Sequence, residues 1–195
     1  LTLPGGLPAP VNLNISPTLN SLAIGSSTTL LGQPSFGITL AGGLANDGML
    51  ELGGTASTAR LFLDHPTDQA ITLGGSGIVR LTGGSQNISG AIGQQLIHGD
   101  PHTSEGFQTR LATPLKYDRL NIVNDGTIRA NVTGQFLALE PRDTFVNTGT
   151  LSATNGGILH FVSGAFSGSG QFRIGDGSEF ASNSASFTNV SITAV

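Results

Sequence analysis

The residues best placed to do chemistry lie in one short run, His98-Gly99-Asp100-Pro101-His102. Two imidazoles and a carboxylate this close suit a transition-metal site if a loop folds all three inward, and Pro101 favours the turn required. No fourth ligand stands at a recognisable spacing, and both histidines can equally face solvent from a loop. The expectation is no metal and no cofactor, with His98, Asp100 and His102 as the weak candidates. Hydrolysis of a glycosidic bond needs two carboxylates spaced across it. The charged pairs on offer are Asp118 with Arg119 and Asp125 with Arg129. Asp125 stands in an Asn-Asp-Gly corner, as does Asp47, where a carboxylate commonly caps the turn. No catalytic residue is therefore assigned. Gly175-Asp176-Gly177-Ser178 is one copy of a turn that binds calcium only in consecutive copies. Asn14, Asn87, Asn131 and Asn189 begin Asn-x-Ser/Thr triplets, expected by chance in a chain this rich in those residues.

These residues must be positioned by strands, because helix signals are nearly absent and Gly interrupts almost every candidate helical window. Three stretches are near copies: Leu44–Leu50 (LANDGML), Ile122–Ala130 (IVNDGTIRA) and Phe145–Ala153 (FVNTGTLSA). Each is an apolar residue, Asn, Asp or Thr, Gly, then an alternating strand. A unit this short cannot bury a core alone, but stacked copies can. The step from Asn124 to Asn147 is a plausible circumference for one coil, and Asn46 lies about three or four such steps before Asn124. The fold predicted is all-β: a right-handed parallel β-helix (β-solenoid) of about seven to nine coils at roughly 20–23 residues each. Asn46, Asn124 and Asn147 would stack as a ladder of corner amides. Leu50, Leu52, Ile78, Leu120, Ile122, Ile128, Leu151, Ile158, Phe161, Phe172 and Ile174 would face inward. Residues 1–17, with four prolines (Pro4, Pro8, Pro10, Pro17), read as an extended N-terminal arm or cap. Residues 18–195 would form the solenoid, with a loop insertion near 93–116.

Composition narrows the partners. Net charge is -4, and Lys116 with seven Arg supplies all the positive charge, so no basic cluster exists to neutralise a phosphate backbone. Nucleic acid is not an expected partner. No apolar run is long enough for a transmembrane helix. Leu1–Pro10 lacks the basic segment and apolar core of an export signal. The chain has no Cys, which excludes disulfides and thiolate chemistry.

From Ala70 onward the chain resembles a repeat segment of very large exported bacterial surface proteins: filamentous adhesins, autotransporter passengers and surface proteins with a C-terminal sorting signal. The resemblance is carried by Ile71–Gly84 (ITLGGSGIVRLTGG), Asn87–Ile97 (NISGAIGQQLI), Leu120–Leu139 (LNIVNDGTIRANVTGQFLAL) and Phe145–Phe180, whose order also matches. It implies a secreted or cell-surface location and a role as spacer or scaffold. The departure is His98–Pro114, where the family generally has a small-residue rung. The expected function is a scaffold, matrix or fibre subunit that stacks head-to-tail on copies of itself. Leu1, Leu3, Val11, Leu13 and Ile15 would meet Val190 and Ile192 of the next copy. The first alternative is an adhesin whose 93–116 loop presents His98, His102, Glu105 and Arg110 to a cell-surface glycan. The second is a polysaccharide-active enzyme.

Overall fold

A computed structural model describes residues 1–33, 35–53, 59–67, 69–83, 86–107, 117–118 and 120–194. Strand-forming residues alternate inward and outward, and burial follows that period of two. Met49–Gly53 and Ile78–Thr82, for example, bury only their second and fourth residues. Every described strand pairs in parallel with the strand one coil away, and no helix forms among the described residues. The molecule is thus a parallel β-solenoid.

Three faces surround the core. The first carries nine strands among the described residues: Thr2–Leu3, Leu22–Ile24, Leu44–Asn46, Ile71–Gly74, Gln95–His98, Asn121–Asn124, Thr144–Asn147, Ala165–Ser167 and Ser186–Thr188. The second also carries nine: Val11–Leu13, Thr29–Gly32, Met49–Gly53, Ile78–Thr82, Thr103–Phe107, Thr127–Ala130, Thr150–Ala153, Gln171–Ile174 and Ser191–Ala194. The third is split. One part runs from Thr18–Leu19 through Gly37–Leu40, Arg60–Leu63 and Asn87–Gly90 to Tyr117–Asp118, and the other comprises Phe136–Leu139, Ile158–Phe161 and Glu179–Ser182.

Pairing in register turns each inward position into a column. On the second face, Val11, Leu30, Leu50, Val79, Ser104, Ile128, Leu151, Phe172 and Ile192 succeed one another rung by rung. On the first, Ile71, Leu96, Ile122, Phe145, Phe166 and Phe187 do so. The upper coils are filled by phenylalanines. Phe145 stacks on Phe166 at 5.1 Å between centroids, Phe166 on Phe187 at 5.5 Å, and Phe161 meets Phe166 edge-on at 5.0 Å. Burial of this column is the main favourable term of the fold.

Within residues 1–17, expected as an extended arm or cap, Thr2–Leu3 and Val11–Leu13 pair with Leu22–Ile24 and Thr29–Gly32, because their backbone groups find partners there. Three expectations need correction. The chain from 93 to 107 is not an insertion, since Gln95–His98 and Thr103–Phe107 are ordinary rungs of the first two faces. The coil is not uniform in length: the steps from Leu44 to its partner Leu73 and from Leu96 to Ile122 are both longer than that from Asn124 to Asn147. Ile78 and Ile158 face outward, because their neighbours Val79 and Leu159 take the inward positions.

The last correction gives a test. Phe166→Ala and Leu159→Ala should each cost about 3 kcal/mol or more, by loss of burial and creation of a cavity. Ile158→Ala should cost less than about 1 kcal/mol. Urea unfolding followed by circular dichroism measures all three, and equal costs for residues 158 and 159 would overturn the register.

A buried polar seam as candidate functional site

At the corner between the first and second faces, the column changes from apolar to polar. Ile24 pairs with Asn46, and further along Leu73, His98, Asn124 and Asn147 share one register. Asn46, His98, His102, Asn124 and Asn147 are each fully buried. Small residues at the corner make room for them. Gly75 holds a φ of +95°, and a Cβ there would stand 2.3 Å from the Asn46 carbonyl oxygen. A larger residue at 75 is excluded by both conformation and space. His102 therefore reaches across the coil of Gly75 toward Asn46, one coil further back.

The contacts form a run along the axis. Asn46 Nδ2 donates to the Ile78 carbonyl at 2.9 Å and lies 3.5 Å from His102 Nε2. His102 Nδ1 is 3.1 Å from His98 Nε2, which is also 2.9 Å from Ser104 Oγ. The two rings meet edge-on, 4.9 Å between centroids. Beyond them, Asn124 Nδ2 donates to Asn147 Oδ1 at 2.7 Å, and Asn147 Nδ2 to the Gln171 carbonyl at 3.3 Å. With both imidazoles neutral, His102 protonated on Nδ1 donates to His98 Nε2 and accepts from Asn46 on Nε2; His98 then carries its proton on Nδ1, which has no partner among the described residues, and its Nε2 is shared between His102 and Ser104.

Neutrality is what this environment favours. Burial pushes the His98 pKa down to about 3, helped by repulsion from His102, while hydrogen bonding to Asn124 acts the other way. Burial also pushes His102 down to about 4. Buried polar side chains are concentrated here. Among the described residues, seven of the twelve buried polar side chains fall between 86 and 105: Gln86, Ser89, Gln94, His98, His102, Ser104 and Glu105.

Glu105 has a different role from the one expected. It points outward from Thr103–Phe107, yet is only 3% exposed. Arg80 Nε donates to its Oε1 at 2.8 Å, Asn131 Nδ2 to its Oε2 at 3.0 Å, and Arg129 pairs with Oε2 as well. Glu51, Arg80, Glu105 and Arg129 occupy successive rungs, so opposite charges alternate along the axis. Desolvation would raise the Glu105 pKa, but the bonds and charges of Arg129 and Arg80 outweigh it and lower it.

The structure thus rearranges the proposed sites. His98 and His102 meet inside the column, while Asp100 stays exposed at the corner, so the three do not converge. His98, His102 and Glu105 are not displayed on a binding loop, because each is buried; Arg110 lies outside the described residues. The Asn124–Asn147 rung of the ladder forms, but Asn46 is separated from it by the histidine pair. Asp125 accepts a bond from the Thr148 hydroxyl, and Asp47 accepts from Ser76 N at 2.9 Å and Ser76 Oγ at 3.1 Å. Those bonds, backbone first, lower the Asp47 pKa. Both carboxylates are corner caps. Arg119 and the Asp118 side chain lie outside the described structure. Sequence reasoning missed Ser104 and Gln94 as inward polar residues; the alternation of Gln95–His98 and Thr103–Phe107 with their neighbours carried that signal.

The chain matches no protein-family model, and comparison with curated proteins and with solved structures finds no match to either. Function therefore has to be argued from the geometry.

Glu105→Gln should destabilise the protein by about 1 kcal/mol at pH 7, a modest figure because both arginines are partly exposed. A depressed carboxylate pKa contributes stability above the unfolded value near 4.5, lost as pH falls through the folded value. The gap between wild type and variant in urea melts should therefore begin to narrow below the unfolded value and close as pH falls through the lower folded one. A gap independent of pH would show that the charge does not matter. Asn124→Ala should cost about 1–3 kcal/mol at all pH values, since it strands the Asn147 amide.

Proposed function

We propose that this chain is a structural β-solenoid of a secreted or cell-surface protein, a scaffold, matrix or fibre element that stacks end to end on copies of itself. The observation that carries the reading is the parallel stack itself, in which each rung is the template for the next. Phe187, 43% exposed, continues the phenylalanine column, with Ile192 beside it at 58%. Around them Phe161, Phe172, Phe180 and Val190 line a hollow of about 340 Å³. Toward residue 1, Leu1 and Ile15 are exposed and Leu3 and Val11 half-buried, whereas Leu13 is buried in the core.

A parallel rung is a template for another strand, from the same chain or from another copy. In a parallel stack the two ends are complementary, so a copy can add in the same direction as the coils within each chain. Such a head-to-tail contact does not close on itself and generates a filament. Low charge, no Cys and abundant Gly, Asn, Ser and Thr fit the extracellular setting implied by the sequence resemblance. The burial of His98, His102 and Glu105 removes most of the support for a glycan-binding loop.

Negative-stain microscopy and analytical ultracentrifugation at rising concentration test the reading. Rods growing in multiples of one particle length are expected from the wild type, and single short particles from Phe187→Glu with Ile192→Lys. Only short monodisperse particles from the wild type would overturn it.

A further inference from the structure

The His98–His102 pair sits midway along the solenoid, with hydrophobic columns on either side. The coil that holds it differs from its neighbours in three ways. Its inward position on the second face is Ser104, between Val79 and Ile128. Its corner is longer than the next one: His98 pairs with Asn124 and Thr103 with Thr127, so the chain from 98 to 103 covers the turn that 124 to 127 covers one coil on. It also holds the two neutral imidazoles, 3.1 Å apart, with ring edges in contact.

We propose that this coil is an acid-labile joint: protonation of the His98–His102 pair opens the solenoid between Asn46 and Asn124 while the flanking coils stay stacked. A second positive charge cannot be held 3.1 Å from the first without a counter-ion, and among the described residues none faces the pair. The preceding coils offer Asn46, glycines and apolar side chains; Asp47 is exposed and engaged by Ser76, and Arg80 is turned outward to Glu105. The pair's own coil offers Ser104; Asp100 is exposed, and Glu105 is outward and held by two arginines. The following coil offers Asn124; Asp125 is exposed and bonded to Thr148, and Arg129 is turned outward. Local opening is available because each coil of a solenoid contacts only its neighbours.

The sign follows from linkage. In the closed coil both groups stay neutral down to about pH 4, whereas in the opened coil they take up protons from about 6.5. Above 6.5 acid has no effect; below it each pH unit favours opening by up to about tenfold per histidine.

Hydrogen exchange of the full chain, read by mass spectrometry at pH 7.5 and 5.0 and corrected for intrinsic rates, is the test. Protection in 95–106 and 121–130 should fall by up to about a thousandfold, while 144–174 and 22–31 keep theirs. His98→Asn with His102→Gln should abolish the acid response. Uniform loss in all coils, unchanged protection at 95–106, or an unaltered response in the double variant would each overturn the proposal. If that variant does not fold, imidazole nitrogen resonances of the wild type decide. Neutral signals from His98 and His102 until protection is lost support the joint, and charged signals in the protected state refute it.

Discussion

The parallel backbone ladder governs this molecule. Each rung lies roughly 4.8 Å above the last and in register with it, so a residue's nearest neighbours along the axis are its counterparts one coil away. Hydrogen bonding thereby decides which side chains must be compatible. Phe145, Phe166 and Phe187 stack because their strands pair, and Asn124 reaches Asn147 for the same reason. Every inward position inherits this rule, and so does the outward alternation of Glu51, Arg80, Glu105 and Arg129.

The rule makes a polar residue in the column expensive unless the next coil answers it. Asn is well suited to this, since its amide both donates and accepts along the axis. Histidine is suited only while neutral. The seam bonds its members to one another, to backbone carbonyls and to Ser104, leaves only His98 Nδ1 and Asn124 Oδ1 without a bond, and keeps charged side chains out of the described interior. The charged groups of this region lie on the outside, where Glu105 is neutralised by two arginines.

The architecture lends the proposed structural role more support than any side-chain constellation does. Repetition supplies length and stiffness cheaply, and each rung is a template for the next. Asp125, weighed with Asp118 as a candidate catalytic carboxylate, holds a corner together instead, as Asp47 does.

What was legible in the sequence was whatever depends on local period and equal spacing. The strand alternation, the Asn-x-Gly corners and the single-coil step from Asn124 to Asn147 all read correctly. Register across unequal coils was not legible. Longer coils before Leu73 and Ile122 broke the expected period, so the rungs of Leu73 and His98 could not be aligned by counting. Neither could the direction of Ile78 against Val79, because adjacent apolar residues satisfy either phase of a strand. His98 and His102 looked like loop residues for the same reason: nothing local tells an inward corner from an exposed one. Local chemistry determined that the chain would coil. Hydrogen-bonded pairing between distant rungs alone decided that the histidines turn into the column and that Glu105 lies between two arginines, because contacts along the axis join residues a full coil apart in the chain.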